Sequence, residues 1–250
     1  MSANHDLNID MADVLIVDDE SANLKLLSEL LGRAGYQVRP ANNPQLAIDS
    51  ALGQPPKLIL LDVRMPEMDG FEVCRRLKQD ERTRDIPIIF ISALQDVQDK
   101  VRGFEAGGVD FISKPFQEQE VLARIRTHLN LRNMQLHLEQ RTAELRKLSQ
   151  ATENSPASVV VTDKNGTIEY VNPRFSEVTG YSAEEAIGQN PRVLKSGDLP
   201  ESYYKELWDT ILSGKVWRGE FKNKRKTGEK FWESASISPI MDEKGEITHF

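Results

Sequence analysis

The 250-residue sequence predicts a doubly wound α/β domain with a parallel sheet, then a long helix, then a smaller α+β domain with an antiparallel sheet. Three observations lead to this prediction. Short apolar segments alternate with amphipathic ones up to about residue 127, and from Gln117 onward almost forty residues contain neither Gly nor Pro. The remaining residues have the pattern of hairpins with short helices. Alternating strands and helices indicate a parallel sheet with helices on both faces.

Five apolar segments are the predicted strands of the parallel sheet. They span residues 13–17, 36–40, 57–62, 86–92 and 109–113, and their β-branched residues and flanking Gly, Pro and Asp favour strands. The segments between them carry apolar residues at helical spacing. Because crossovers between parallel strands are right-handed, we expect the carboxyl ends of all five strands to lie along one edge. Open parallel sheets bind their ligands at that edge.

The helix that begins near Gln117 is predicted to continue without interruption to about residue 152. Beyond the first turns, apolar residues recur at heptad spacing, with Arg141 interrupting the pattern: Leu131, Met134, Leu138, Leu145 and Leu148. A solvated linker helix is one interpretation. An apolar seam that its own domain does not cover favours pairing with a second copy, so we expect a homodimer through a coiled coil.

The last hundred residues predict an antiparallel arrangement. Two segments, Val159–Thr162 and Thr167–Val171, flank the turn sequence DKNG and form a predicted hairpin. Short helices are expected around residues 173–180, 182–188 and 199–214, followed by long strands at 215–225 and 229–242 and a final strand within 245–250. Helices on one side of an antiparallel sheet make an α+β domain.

Composition and charge exclude several functional classes. No apolar run approaches the ~18 residues of a membrane span, and the N-terminus lacks a secretion signal, so we expect a cytoplasmic protein that does not bind membranes. The single cysteine, Cys74, excludes an internal disulfide and a cysteine-cluster metal site. A net charge of −7 argues against a nucleic-acid partner.

Polar side chains stand at the ends of four predicted strands: Asp18 with Asp19, then Asp62, Ser92 and Lys114. Crowded carboxylates repel one another unless a cation lies between them, and Mg²⁺ prefers oxygen ligands while leaving room for a phosphoryl oxygen. We therefore predict a Mg²⁺ site in which Asp62 is the nucleophile that accepts a phosphoryl group. Lys114 would neutralise the phosphoryl oxygens. If the first two aspartates only capped the next helix, the position of the other three residues would have no explanation.

The segments VLIVDDE, LILLDVRMPEMDGFEV, IIFISA and DFISKPF together resemble the receiver domain of two-component response regulators. The resemblance covers about residues 12–127. It implies that Asp62 is the phosphoacceptor and that Asp18 and Asp19 are Mg²⁺ ligands. It also implies a cognate sensor histidine kinase as partner.

The same resemblance implies further roles at the strand ends. Ser92 matches the switch hydroxyl, Phe111 the switch aromatic residue, and the Lys114–Pro115 bond the family's cis-peptide position. Phosphorylation would then shift a conformational equilibrium, because Ser92 moves toward the phosphoryl group and Phe111 turns inward. We expect this change to pass into the long helix.

The segment NPRFSEVTGYSAEEAIG and the two long strands that follow resemble a PAS domain. We therefore expect a disordered tail at 1–11, a receiver domain at 12–127, a coiled-coil linker at 128–152 and a PAS domain at 153–250 whose last strand is incomplete.

The segment GQNPRVLKSG is similar to the helix region of flavin-binding PAS sensors. Pro191 stands where the photosensing subgroup has a cysteine, so a cysteinyl–flavin adduct is excluded. A redox-active FAD is one interpretation. The other, which we favour, is that the PAS tryptophans are core or interface residues and the pocket is empty. The candidate ligand residues are Asn190, Arg192, Trp217, Asn223 and Trp232.

Two functions fit these patterns. The first is a response regulator that accepts a phosphoryl group on Asp62 and relays its state through the helix to the PAS domain. The alternative is the sensory portion of a larger signalling enzyme, a diguanylate cyclase or a histidine kinase. The sequence has no GGDEF-type loop, P-loop or kinase nucleotide motif, so we predict no catalysis beyond self-phosphorylation.

Overall fold

The computed structural model describes residues 12–93 and 97–250, so the tail expected at 1–11 lies outside the described residues. The chain forms two compact units, Met1–Gln140 and Arg141–Phe250, which are described separately below.

The first unit is a five-stranded parallel sheet with helices on both faces. Its strands pair in the order β2-β1-β3-β4-β5, as expected for a doubly wound fold. The elements are β1 (Asp13–Val17), α1 (Ser21–Arg33), β2 (Gln37–Ala41), α2 (Pro44–Gly53), β3 (Leu58–Asp62), α3 (Gly70–Gln79), β4 (Ile88–Ser92), α4 (Val97–Glu105), β5 (Asp110–Ser113) and α5 (Glu118–Glu153). The part of α5 from Arg141 onward belongs to the second unit.

Two apolar layers enclose this sheet, because successive strand residues point to opposite faces. Leu58 and Leu60 of β3 pack with α1 and α5, whereas Ile59 and Leu61 pack with α2, α3 and α4. Both layers are almost fully buried, which explains why the central strands are continuous apolar runs. The only polar residue in β3 is Asp62, at its carboxyl end.

Helix α5 is continuous from Glu118 to Glu153, which confirms the predicted long helix. Its first turns are buried through Val121, Ile125 and Leu129. Beyond them, the residues of the predicted heptad seam are between 56% and 68% exposed: Leu131, Met134, Leu138, Leu145 and Leu148. The helix therefore carries an apolar stripe on its surface, which we call the α5 seam.

The second unit has antiparallel strands and short helices, as predicted. Its elements are β6 (Val160–Thr162), β7 (Ile168–Val171), α6 (Pro173–Thr179), α7 (Ala183–Ala186), a 3₁₀ helix (Pro191–Leu194), α8 (Glu201–Leu212), β8 (Trp217–Lys224), β9 (Lys230–Ile237), β10 (Ile240–Met241) and β11 (Ile247–His249). The strands pair as β6-β7, β8-β9 and β10-β11. Two backbone hydrogen bonds between Thr162 and Phe250 join the first and last of these ladders.

The strand predicted at 229–242 is divided into β9 and β10, with Pro239 at the break. Proline has no N–H group to donate to a ladder, so the pairing is interrupted there. The sequence-based prediction also missed the 3₁₀ helix, which begins at Pro191 and is capped by the side chain of Asn190.

Asn172 holds the beginning of the second unit together. Its side chain is buried, and its Oδ1 accepts hydrogen bonds from the backbone N–H groups of Val159 (2.9 Å) and Phe175 (3.1 Å). Its Nδ2 donates to the carbonyl oxygens of Thr152 (3.1 Å) and Ala157 (2.9 Å). One amide therefore connects the last turn of α5 to β7 and to the start of α6.

We expect Asn172→Ala to destabilise the second unit by about 2–4 kcal/mol, because buried backbone groups lose their partners. Tryptophan fluorescence in a denaturant titration would measure this, since the chain's three tryptophans, Trp208, Trp217 and Trp232, all lie in that unit. The control is Ser182→Ala, which removes the exposed cap of α7 and should cost only about 1 kcal/mol. Equal losses in the two variants would contradict this account.

Candidate metal centre and phosphoacceptor site

The register of the sheet brings the predicted polar residues to one edge. Val17 pairs with Leu61, so Asp18 lies level with Asp62 on the neighbouring strand. On the other side Asp62 pairs with Ile91, and Ser92 is the next residue of β4. Ser92 pairs in turn with Ser113, the residue before Lys114. The parallel sheet thus aligns the five polar positions that the sequence singled out.

Lys114 forms ion pairs with two of the aspartates. Its Nζ lies 2.9 Å from Oδ2 of Asp18 and 2.9 Å from Oδ2 of Asp62. The side chain of Asp18 is fully buried and that of Asp62 is 6% exposed. The peptide bond between Lys114 and Pro115 is cis, as the resemblance implied.

The three aspartates form a group that fits a divalent cation. Asp18, Asp19 and Asp62 each offer a carboxylate oxygen, and these atoms lie within 4.8 Å of one another. The set consists only of oxygen donors, and Asp19 is exposed to solvent, so water can complete a coordination shell. This donor set matches the preference of Mg²⁺.

Burial and charge set the ionisation of the cluster. Burial raises the pKa of Asp62, and the hydrogen bond and positive charge of Lys114 offset only part of this effect. The neighbouring charge of Asp18 raises the pKa of Asp62 further. Burial opposes the charge of Lys114, but its two aspartate partners outweigh burial and raise the pKa of Lys114. The lysine is therefore a fixed positive charge at neutral pH.

The turn after β3 packs closely against the Asp62 backbone. A Cβ atom at Gly70 would lie well inside van der Waals contact with the carbonyl oxygen of Asp62. The backbone N–H of Gly70 donates to the carbonyl of Val63 at 2.9 Å, and Asp69 caps α3 through the N–H of Glu72. The glycine lets α3 begin directly against the end of β3, which fixes the backbone of the phosphoacceptor candidate.

Ser92 and Phe111 occupy strand positions that alternate toward the layer of α2, α3 and α4, and Ser92 ends β4 next to Asp62 at the carboxyl edge of the sheet. Ser92 is buried and shares its strand face with Phe90, whose ring lies 5.2 Å from the ring of Phe111. Phe111 is partly buried and packs against the layer formed by α2, α3 and α4. The two predicted switch residues therefore belong to one layer.

Sequence reasoning missed Asn23 in the acidic cluster. Its Nδ2 donates to both carboxylate oxygens of Asp18, at 3.1 and 3.0 Å, and to Oε2 of Glu20 at 3.0 Å. The available signal was an amide in the first turn of the helix that follows a strand-end aspartate. Asn23 therefore helps Lys114 to hold the buried carboxylate of Asp18 in place.

A second polar network, also missed, connects β5 to α5. Asp110 accepts from Arg124 at 2.6 Å and from the backbone N–H of Phe111 at 2.8 Å, and its other oxygen lies 3.0 Å from Nε2 of His128. Burial opposes the charge of Asp110, but these hydrogen bonds outweigh it and lower its pKa. The strand that carries Phe111, the predicted switch aromatic, is thus tied to the long helix.

The structure does not bring all the candidate PAS ligand residues together. Trp217 and Asn223 are buried on the β8–β9 face that packs with α8, where Asn223 donates to Glu233 at 2.9 Å. Trp232 pairs with Lys222 on the opposite face and is 64% exposed. The remaining two candidates, Asn190 and Arg192, bond to each other around the 3₁₀ helix.

Asn190 also donates from Nδ2 to the carbonyl oxygen of Gly166 at 2.8 Å, so its amide serves local structure. The five candidate residues do not form one site in this structure. Flavin binding by the PAS unit stays a prediction. Across residues 12–93 and 97–250, no helix is long and apolar enough to cross a membrane.

Comparison with known proteins gives two family matches. A family model described as "Response regulator receiver domain" matches residues 14–126, and one described as "PAS domain" matches residues 156–250. The first match contains every residue of the acidic cluster.

Curated relatives match mainly the first half of the chain. The transcriptional regulator RpaA of Synechocystis sp. is 45% identical over 125 residues, which cover 48% of this chain and 49% of RpaA. Response regulator PleD of Caulobacter vibrioides is 41% identical over 137 residues, which cover 55% of this chain and 30% of PleD. The chain thus spans half or less of the length of these relatives.

A solved structure of NtrX from Brucella abortus has the same fold in its matching part. It is 23% identical, with a TM-score of 0.50, and the match covers 57% of this chain and 34% of NtrX. The sheet order, the strand-end aspartates and the family matches agree. Residues 14–126 therefore belong to the response regulator receiver domain family, and residues 156–250 belong to the PAS domain family.

Proposed function

We propose that this chain is a two-component response regulator that accepts a phosphoryl group on Asp62 from a cognate sensor histidine kinase. The observation that carries the proposal is the position of the Asp62 carboxylate, at the end of β3 and 2.9 Å from Nζ of Lys114. It lies within 4.8 Å of two further carboxylates that fit Mg²⁺.

In the proposed reaction, a carboxylate oxygen of Asp62 attacks the phosphorus of the donor. A P–O bond to Asp62 forms, the bond from phosphorus to the donor breaks, and the donor leaves with its electron pair. When bound by Asp18, Asp19 and Asp62, Mg²⁺ supplies positive charge that stabilises the phosphoryl oxygens. Lys114 is held at the same edge and provides a second positive charge for them.

The relay proposal starts from Ser92 and Phe111. Phe111 packs in the layer beneath α3 and α4, and Ser92 is buried at the end of β4. Asp110, the residue before Phe111, is bonded to Arg124 and His128 of α5. A phosphoryl group on Asp62 would draw the Ser92 hydroxyl and change the packing of Phe111. Because α5 is continuous to Glu153, it can transmit a movement of β5 to its far end.

We further propose that two copies of the chain pair through the α5 seam. Five apolar side chains at heptad spacing are exposed there, and exposed apolar area of this periodicity is typical of coiled coils. Arg141 occupies one position of the seam and lies 3.3 Å from Glu144 of its own helix. A charged residue in a seam weakens pairing, so the dimer would be sensitive to small changes in α5.

We assign the PAS unit a relay and dimerisation role without a ligand. The alternative, a bound FAD, is supported by the similarity of GQNPRVLKSG to flavin-binding sensors. An absorbance spectrum of the freshly purified protein separates the two, because a flavin band would convert the relay into a redox sensor.

A second candidate function is the sensory portion of a larger signalling enzyme, either a diguanylate cyclase or a histidine kinase. The matched residues cover only 30% of PleD, so this relative contains further segments beside the matched part. This observation supports the second candidate. The two family matches in this chain are a receiver domain and a PAS domain. Phosphorylation of Asp62 would be the input step in either function.

Incubation with acetyl phosphate and Mg²⁺ is expected to add the mass of one phosphoryl group, and Asp62→Asn should abolish the addition. Intact-mass spectrometry makes the measurement. Asp49→Asn is the matched control, because Asp49 is an exposed aspartate of α2 that bonds only to Gln45 in the described contacts. Labelling that persists in Asp62→Asn would refute Asp62 as the acceptor.

Without Mg²⁺, Asp62→Asn should stabilise the receiver unit by about 1–2 kcal/mol, because an uncharged amide replaces a buried carboxylate beside Asp18. At roughly 2–4 °C per kcal/mol, calorimetry would detect the higher midpoint. Mg²⁺ should raise the midpoint of the wild type more than that of the variant, since the variant lacks one carboxylate ligand. Equal Mg²⁺ shifts would count against the assigned metal site.

Leu138→Glu combined with Leu145→Glu should raise the dimer dissociation constant more than about tenfold, because two apolar contacts become charged. Analytical ultracentrifugation measures the constant. Gln140→Glu with Gln150→Glu gives the control with the same change in charge, at exposed positions off the seam. Dissociation to the same extent in both variants would exclude the seam as the interface.

A further inference from the structure

Four phenylalanine rings of the first unit pack in a row. The ring of Phe71 on α3 lies 5.2 Å from that of Phe90 on β4. Phe90 lies 5.2 Å from Phe111 on β5, and Phe111 lies 5.4 Å from Phe104 on α4. Phe71 is the second residue of the helix that begins against Asp62, and Phe104 is 53% exposed. The row of rings therefore extends from Phe71, at the start of the helix next to Asp62, to Phe104 at the surface of α4.

Gly103 is the point at which α4 admits the Phe111 ring. A Cβ atom at residue 103 would lie well inside van der Waals contact with Cζ of Phe111 and 3.0 Å from its Cε2. It would also lie 3.1 Å from Cε1 of Phe71. Glycine is a poor residue for a helix interior, so its presence in α4 indicates a steric requirement. We call the space above Gly103 the α4 notch.

Gly108 lies against the ring of Phe90, whereas Gly103 lies against the ring of Phe111. The two rings differ in burial. A Cβ atom at Gly108 would meet Cδ2 of Phe90 at 2.7 Å and its Cε2 closer still. Phe90 is fully buried between two other rings and cannot move aside. Phe111 is only partly buried and lies on β5, at the edge of the sheet, so its ring has a way out.

A side chain at residue 103 would therefore move the Phe111 ring and leave the helix in place. The closest atom to the missing Cβ is the far end of a side chain that can rotate. Neighbouring backbone bonds hold the end of α4: the N–H of Gly107 donates to Phe104 and that of Gly108 donates to Gly103, both at 3.0 Å. The helix end is held by these hydrogen bonds, whereas the Phe111 ring is held by packing alone.

We infer that Gly103 is a positioning residue, which sets where Phe111 rests and so lets the ring respond to the state of Asp62. The inference rests on the proposed phosphorylation of Asp62. Ser92 lies two residues beyond Phe90 on the same strand face, so a movement of Ser92 changes the space beside the Phe111 ring. The ring occupies the α4 notch in this structure, and a methyl group at residue 103 would remove that resting place.

The test compares Gly103→Ala with the wild type in NMR spectra of protein carrying ring-labelled phenylalanine. Phe111→Leu assigns the Phe111 signals among the nine phenylalanines. In the wild type, acetyl phosphate with Mg²⁺ should shift the Phe111 ring signals. In Gly103→Ala these signals should be displaced already before phosphorylation, and the further shift should fall to less than half. Gly32→Ala is the control, because a Cβ there meets nothing within 4 Å and Gly32 is also helical.

Thermal midpoints provide a second readout that does not need phosphorylation. Gly103→Ala should lower the midpoint of the wild type and raise that of Phe111→Ala, because alanine favours the helix once the ring is absent. The double variant also keeps the test available if Gly103→Ala alone does not fold. Gly32→Ala should raise the midpoint in both backgrounds.

The outcomes distinguish the two proposals. If the wild type gains no mass with acetyl phosphate, the proposed function fails, and the thermal comparison still decides whether Gly103 seats the Phe111 ring. If mass is gained but Gly103→Ala leaves the Phe111 signals and their response as in the wild type, the inference about Gly103 is overturned.

Discussion

The shared ion pair of Lys114 with Asp18 and Asp62 is the interaction on which the rest of the site depends. Three carboxylates and one ammonium group leave two negative charges at the edge of the sheet, which equals in size the charge of one magnesium ion. Burial makes this excess costly, as the raised pKa of Asp62 indicates. The fold tolerates the cost because the register of the parallel strands forces these residues together. A site strained by its own charge is one that gains from binding a cation.

The α5 helix gives the two units a common element. At its start it is buried against the sheet, and the Asp110 network joins it to β5. At its end, within the second unit, Asn172 donates to the carbonyl of Thr152 in the last turn. Between these attachments the helix carries the exposed α5 seam. A helix held at both ends and apolar in the middle has the features needed to connect an event at β5 with the pairing of two chains.

The sequence predicted the positions of site residues best where those positions depend only on the order and direction of the strands. Asp62 and Lys114 could be placed together because the carboxyl ends of parallel strands share an edge, whatever the details of packing. The contact of Asn23 with Asp18 could not be predicted, because it depends on the residue at which α1 begins and on the rotamer of the Asn23 side chain. Trp232 shows the same limit in the second unit. Its outward direction follows from the β8–β9 register, which the turn sequence does not fix to within one residue.

Alternation along the strands also separates two groups of residues. Asp62 continues the series of Leu58 and Leu60 that faces α1 and α5, whereas Ser92 continues the series of Ile88 and Phe90 that faces α3 and α4. Inserting or deleting one residue inside β3 would exchange these faces and turn the carboxylate away from Lys114. Descendants of this sequence are therefore free to vary the composition of β3 but not its length. Gaps in an alignment of such descendants should fall in the loops and never within the central strands.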